Sequence, residues 1–370
     1  MNEQVIIVGG GVIGTACAYF LSRRGVEVHV LERNHLGAGA SGAAAALIED
    51  ISSSDTPEWL RILGLESYRL ILELEDDFHQ PLEIIRGGSL HVALNEQEAS
   101  EIGLFSKEVQ GMGHNCELLN GPEARRLEPL LGPKVQAALY NPACYHVNPF
   151  RLCEGYLHAA LCRGARIDYG ISVRSVQVRN DRIERVITDQ GDFYADWVVV
   201  ATGAYTPQVL PSIGIKIPIF PARGQVIVTE ACPQMTQHVL MFFDHLYIKQ
   251  TASGNFYLGS HTEFAGFENR ITLEKITTYA HVLAQAVPVL ARLKGLRFFA
   301  GFRPISVDDL PVIGPVPNCT RLLIASGHGR TGIHYSASTG KAVSELIVDG
   351  KTELPIDVFS VDRFEKQSEL

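Results

Sequence analysis

The sequence predicts an α/β protein in which one parallel-sheet domain is assembled from separated segments and a second, strand-rich domain is inserted between them. Three observations predict it. A β-branched run, Val5-Ile6-Ile7-Val8, feeds directly into Gly9-Gly10-Gly11-Val12-Ile13-Gly14 and then into a helical pattern. Two more apolar strands run into glycine turns far along the chain, at Asp196 to Ala204 and at Leu322 to Ile333. The length of 370 residues exceeds what one hydrophobic core usually serves, and 46% apolar residues are enough to fill two.

The N-terminal unit carries the clearest signal. Residues 5–8 are apolar throughout, the pattern of a short strand buried on both faces. From Thr15 to Arg24, residues Ala16, Ala18, Tyr19, Phe20 and Leu21 recur at helical spacing, and Gly25 closes the helix. Val26 to Leu31 alternate as a second strand ending on Glu32. Each glycine has a mechanical reason in such a unit. Gly9 makes the tight turn, Gly11 lets the backbone approach a pyrophosphate, and Gly14 lets the helix pack closely on the strand. The helix N-terminus offers free N–H groups to phosphate, and Glu32 is placed to accept from ribose hydroxyls. Strand, glycine turn, helix, strand and acid in that order distinguish a dinucleotide site from an ordinary glycine-rich loop. NAD and FAD share this fingerprint, and the loop alone leaves both open.

Later segments bear on that choice. Gly37 to Ala46 contains only small residues, which lets backbone pass against a flat ring system; a helix start or a flexible loop reads the same way. Asp196-Trp197-Val198-Val199-Val200 is a buried strand entering Ala201-Thr202-Gly203, and Leu322 to Ala325 enters Ser326-Gly327-His328-Gly329-Arg330-Thr331-Gly332-Ile333 before a helix from about Ser336 to Val348. Three strand-to-glycine turns spread over the chain point to one nucleotide fold built from separated pieces.

Composition narrows the partners. The net charge of -9 is spread along the chain without a Lys/Arg-dense tract, so nucleic acid is not an expected partner. Met1-Asn2-Glu3-Gln4 runs straight into the first strand without a basic n-region, and no apolar stretch reaches the roughly 20 residues of a membrane span. A cytoplasmic chain with no membrane span is the expectation. Seven cysteines at irregular gaps indicate neither a disulfide framework nor a CxxC motif, and the histidines show no HExxH pattern, so no metal site is expected.

On the residues Val8 to Gly14, Ala201 to Ala204, Arg223-Gly224-Gln225, Gly301-Phe302-Arg303-Pro304, Leu310 to Pro315 and Gly327 to Ile333, the chain resembles the glycine oxidase, D-amino acid dehydrogenase and sarcosine oxidase family of flavoenzymes over nearly its full length. Within this D-amino acid oxidase-type group it is most similar to the flavin subunits of hetero-oligomeric dehydrogenases such as hydrogen cyanide synthase, hydroxyproline dehydrogenase and opine oxidase. The resemblance implies an FAD-binding, Rossmann-like domain of the glutathione-reductase type, plus a mostly antiparallel sheet laid over the flavin. On this reading residues 1–75, 142–211 and 317–370 form the FAD-binding domain, and 76–141 and 212–316 form the substrate domain. Strands are expected at Gln225 to Thr229, Leu246 to Lys249, Asn255 to Gly259 and Leu296 to Phe302, with a helix near Leu273 to Leu293. The stretch from Pro311 to Pro317 reads as a rigid connection back to the cofactor domain.

The chemistry follows from the resemblance. Oxidising an amino acid on a flavin moves a hydride from the carbon bearing the amine to flavin N5, so the protein must place that carbon by holding the carboxylate. Arginine does this best because its planar fork pairs both oxygens. Arg303 matches the family's carboxylate arginine; a surface salt bridge or a phosphate contact is the alternative from the residue alone. Tyr247 matches the tyrosine that bonds the same carboxylate, or is a packed strand residue. His261 is a candidate base, or a structural histidine. Expected cofactor contacts are Gly9, Gly11, Val12, Ile13, Gly14, Glu32, Arg33, Ser41, Ala45, Ala46, Val173, Ala201, Gly203, Arg303 and the turn Gly327, His328, Gly329, Arg330, Thr331, Gly332 and Ile333. His328 and Arg330 in particular offer positive charge or donors to the reduced ring. Sarcosine oxidases attach their flavin through a cysteine near the position of Phe302 and Arg303 and carry an oxygen-promoting lysine where Tyr257 stands here. Neither residue type occurs at those places, which implies non-covalent FAD and tilts the balance towards electron transfer to a partner. An oligomer is expected, with partner subunits carrying further redox centres as one possibility.

Overall fold

The computed structural model of the chain describes residues 3–78, 80–211, 214, 216–259 and 261–366. The apolar run at the N-terminus forms the strand Gln4–Val8 inside a six-stranded sheet. Across the sheet the order is Val312–Pro315, Leu322–Ser326, Trp197–Val200, Gln4–Val8, Glu27–Glu32 and Arg166–Tyr169. All neighbours are parallel except the first pair. Strand periodicity divides the central strand between two cores. Val5 and Ile7 pack with Cys17, Leu21, Ala342 and Val343 of the helices Val12–Arg23 and Ser336–Asp349, while Ile6 and Val8 pack with Val176 and Val186 of a three-stranded meander. Burial on both faces is the reason the run carries no polar residue.

The sheet order reverses between Gln4–Val8 and Trp197–Val200, whose carboxyl ends lead into Gly9 and into Ala201-Thr202-Gly203. Loops leaving such a switch point diverge to opposite faces and open a crevice. The two glycine turns flagged in the sequence therefore face each other across it, and Leu322–Ser326 brings the third turn alongside.

The second sheet has eight strands in the order Gly295–Ser306, Ile219–Ala231, Asn255–Gly259, Tyr247–Gln250, Val239–Phe242, Ser89–Ala93, Ala137–Asn141 and Glu117–Asn120. It is antiparallel apart from one parallel pair, Val239–Phe242 on Ser89–Ala93, which splices the strands of the two insertions into one surface.

Several expectations are corrected in detail. The helix expected near Leu273 to Leu293 ends at Ala286, and residues 288–292 form a 3-10 turn. Pro288 lacks the N–H that would continue the helix and biases Val287 to its extended conformation, φ -130 and ψ 84. The stretch read as a connection assigned to the substrate domain contains Val312–Pro315, an antiparallel edge strand of the six-stranded sheet. Pro315 is tolerated there because an edge strand leaves one side unpaired. The strands expected at 225–229 and 296–302 run longer, as Ile219–Ala231 and Gly295–Ser306. Among the described residues, no helix is long and apolar enough to cross a membrane.

Candidate active site

Between the two sheets lies a cavity of about 1060 Å³. Its walls combine the N-terminal glycine turn, the 38–52 loop, the helix Glu58–Asp77, the Ala201 to Tyr205 turn, the strand Gly295–Ser306 and the C-terminal turn. The volume stands at the upper end of small-molecule sites, so the cavity has room for far more than an amino acid.

The glycine turn is shaped by close approach. Gly9 has φ +112, and a Cβ there would run into the Ala201 carbonyl across the crevice. A Cβ on Gly14 would collide with the Gly9 carbonyl, so Gly14 lies behind the cavity wall and holds the helix against the strand. No side chain caps the helix through Gly11; Ser41 Oγ accepts from Val12 N at 3.0 Å. Glu32 is buried and braces the turn, with Oε2 accepting from Gly10 N at 2.7 Å and Oε1 from Asn34 N at 2.8 Å. Each oxygen keeps a second lone pair for a ribose hydroxyl.

The small-residue tract folds back on this turn. Gly37 N donates to Gly10 O at 2.9 Å, Ser41–Ala43 makes a 3-10 turn, and Ala46 takes φ 55. A Cβ on Gly301 would strike Ala43 Cβ, so the tract and the substrate sheet meet with no room for larger side chains. The C-terminal turn is tied to the same sheet, since Gly329 N donates to Pro304 O at 2.8 Å. It is tied to the Ala201 to Gly203 turn as well, through Ser326 Oγ donating to Gly203 O at 3.1 Å.

Tyr247 and Arg303 share the cavity wall. Arg303 lies over Gly224, where a Cβ would clash with the guanidinium, and its Nη1 donates to the His261 carbonyl at 3.0 Å. The Tyr247 ring occupies the space beside Gly259 that a side chain would fill. Burial pushes the Tyr247 phenol up to about 12, with Arg303 opposing, so it is a neutral donor. Burial also pulls Arg303 down, Tyr247 supporting its charge and Arg330 opposing it. The same two arginines, after burial, lower His245. Cationic groups thus converge at one end of the cavity, where an anion is stabilised.

Of the residues expected from the sequence, Gly9, Gly11, Val12, Ile13, Glu32, Arg33, Ser41, Ala45, Ala46, Val173, Ala201, Gly203, His328 to Ile333, Tyr247 and Arg303 all line the cavity; Gly14, Gly327 and His261 do not. The His261 ring Nδ1 donates to the Asp244 carbonyl at 3.0 Å and the ring packs edge-on against Tyr279, while its backbone carbonyl accepts from Arg303. Of the positive charge or donors expected from His328 and Arg330, His328 does not supply the charge: it is buried, its pKa pushed down to about 3, and Nε2 lies 3.0 Å from Thr339 Oγ1. It is neutral at ordinary pH. The sequence reading missed Glu49, Asp50, Met112, His114, Met241, His245 and His334, which also line the cavity. They come from separate segments that only the folded chain assembles.

The family model for FAD-dependent oxidoreductases of the DAO type matches residues 4–346. The chain belongs to this family. Among its relatives in the family, hydrogen cyanide synthase subunit HcnC of Pseudomonas aeruginosa is 30% identical over 405 residues, covering 98% of this chain and 97% of the relative. The structure of glycine oxidase from Geobacillus kaustophilus superposes with a TM-score of 0.91 at 27% identity, over 97% of this chain and 99% of that one. Iminodiacetate oxidase (IdaA) from Chelativorans sp. BNC1 gives 0.87 at 26%, over 96% and 98%. The chain is thus an FAD-dependent oxidoreductase, and its own geometry fits the cofactor: a glycine turn too closely packed for side chains, a helix N-terminus opening on a crevice at the switch point, and a wall thinned to Ala43 against Gly301.

Proposed function

We propose that the protein oxidises the C–N bond of a small amino acid or secondary amine, such as glycine, a D-amino acid, hydroxyproline or an opine-like compound. The observation that carries this reading is Arg303 with Tyr247 on the cavity wall, a planar cation and a neutral donor near enough for each to act on the other's charge. Gly9, Gly11, Val12 and Ile13, with Ser41 beside them, would hold the FAD diphosphate, Glu32 the ribose, Arg33 and Val173 the adenosine side, and Ala45, Ala46, Gly301 and the 328–333 turn the ring system, without a covalent bond. When bound, the flavin supplies the acceptor for a hydride from the carbon bearing the nitrogen.

The chain's own residues do the placing. Arg303 pairs both carboxylate oxygens and Tyr247 donates to one of them, which leaves the amine-bearing carbon pointed away from the sheet. The C–N bond becomes C=N as the hydride departs and the nitrogen releases its proton to solvent; water then hydrolyses the imine to a keto or aldehyde acid. The names of glycine oxidase and iminodiacetate oxidase support this substrate class. Anaerobic bleaching of the flavin absorbance with a panel of amino acids tests it. Arg303→Ala is expected to weaken apparent substrate affinity about 10- to 100-fold, the size of a lost charge-assisted pair. Unchanged affinity in that variant sinks the carboxylate assignment.

A second reading is favoured by the likeness to a protein named as a subunit. In it the chain passes electrons to partner chains carrying further redox centres. Co-expression with neighbouring genes followed by size-exclusion separates the two readings, because a self-sufficient enzyme elutes alone with full turnover.

A further inference from the structure

We propose that the cavity is built for a substrate charged at both ends: a carboxylate at Arg303 and Tyr247, and a basic nitrogen at Glu49 and Asp50. The substrate class is then an amino acid, or an N-substituted amino acid, that carries a second, cationic group. This rests on the amine-oxidising reading above and narrows it.

Strand register sets the two ends apart. Tyr247 stands opposite Met241 in one antiparallel pair, and Met241 stands opposite His91 in the neighbouring parallel pair. Directly paired residues share a face, so Tyr247, Met241 and His91 form a row across the sheet about 10 Å long, two inter-strand spacings. Tyr247 and Met241 both line the cavity. His91, at the far end of the row, holds Glu49: its Nε2 lies 3.3 Å from Glu49 Oε1, and Ser89 Oγ donates to the same oxygen. Asp50 follows, with Oδ1 accepting from Asn141 Nδ2 at 3.2 Å and Oδ2 3.7 Å from His114 Nδ1.

These carboxylates are oriented without being sealed. Glu49 and Asp50 keep 17% and 25% of their side-chain surface, and both are part of the cavity wall. An ionised carboxylate has about four acceptor sites, more than these partners take up. His334, a further histidine on that wall, adds no positive charge. Its Nε2–H donates to the Gly64 carbonyl at 3.1 Å, and burial holds its pKa at about 4. Burial lowers the His91 pKa but Glu49 beside it raises it by more, so Glu49 already shares its charge with His91, and Asp50 lies beside His114. The acceptor sites both carboxylates keep open to the cavity still make them better neighbours for a cation than for an apolar group. Met241, between the two ends, offers an adaptable apolar surface to a methylene chain.

The test uses the FAD-loaded enzyme and anaerobic flavin reduction, comparing ornithine and lysine with norvaline and norleucine in both enantiomers, and with glycine, sarcosine and proline. The expected result is an advantage of about tenfold or more in kcat/KM for the basic member of each pair, the scale of one charge-assisted hydrogen bond. Glu49→Gln is expected to cut that ratio about tenfold, and where that variant fails to retain FAD, Asp50→Asn reads the same ratio. Equal rates for basic and neutral partners, or a ratio that neither variant moves, overturn the two-ended cavity while leaving amine oxidation standing. If no compound of the panel bleaches the flavin, amine oxidation itself fails and this proposal with it.

Discussion

Lys249 follows Tyr247 by two residues on the same strand and is buried to 3% exposure. It pairs across the ladder with Tyr257, and its Nζ lies 5.6 Å from the centroid of that ring. Burial lowers its pKa from 10.5 to about 7, with Glu83 opposing. The unfolded chain therefore binds a proton between about pH 7 and 10.5 that the folded chain does not, and stability is lost as the pH falls through that window. At pH 7 the buried lysine opposes folding. Lys249→Met is expected to raise the unfolding free energy at pH 7 by on the order of 2–4 kcal/mol. The gain shrinks as the pH approaches 10, where the unfolded lysine also begins to lose its proton. Urea unfolding at pH 7 and pH 10 measures both values, and a gain that is the same at the two pH values contradicts a depressed folded-state pKa.

At the scale of elements, what was legible was local. Residues 5–32 read correctly as strand, turn, helix and strand because each boundary has its own chemistry: Gly9 with φ +112 at the turn, and Gly25 with φ +77 after the helix. Pro288 carried the signal for the end of its helix, but the apolar spacing on either side hid it. The pairing of Val239–Phe242 with Ser89–Ala93 has no local signature, since parallel partners some 150 positions apart are chosen by the packing of two insertions. That pairing is what brings His91 and Glu49 to the end of the Tyr247 row, so the place of Glu49 on the cavity wall was illegible for the same reason, whereas Arg303 and Tyr247, which stand on that wall, were picked out through motif resemblance. The first turn yields a prediction at this scale. Gly14→Ala adds a Cβ where the Gly9 carbonyl already stands, so the helix must move off the strand and reopen the turn. The expected outcome is loss of most bound flavin and a destabilisation of about 1–3 kcal/mol, the range for overpacking. Flavin absorbance per protein and a urea midpoint check it, and a variant with full FAD content shows that close packing at Gly14 is dispensable.

For the whole molecule, the cavity is the place where segments from nearly the entire sequence meet. The 9–14 turn, the 201–205 turn, the strand Gly295–Ser306 and the 328–333 turn all contribute to its wall. Direct ties among the segments around it include Ala201 N to Val8 O, Gly329 N to Pro304 O, Ser326 Oγ to Gly203 O, and the close approach of Gly301 to Ala43. A ligand that spans these segments adds its binding free energy to the folded state and nothing to the unfolded one. FAD removal is therefore expected to lower Tm, and FAD at about 100 times its Kd restores about 2.7 kcal/mol. ADP separates the contributions. It carries the diphosphate and adenosine that the Gly9–Gly14 turn and Glu32 would hold, but nothing for Ala43, Gly301 and the C-terminal turn. Thermal unfolding of the apoprotein is expected to rise partway with ADP and fully with FAD, while protease cleavage between 295 and 333 slows only with FAD. Equal protection of that region by ADP means that the two glycine-turn regions do not depend on the flavin ring for their connection, and that the cavity is already closed by the protein's own contacts.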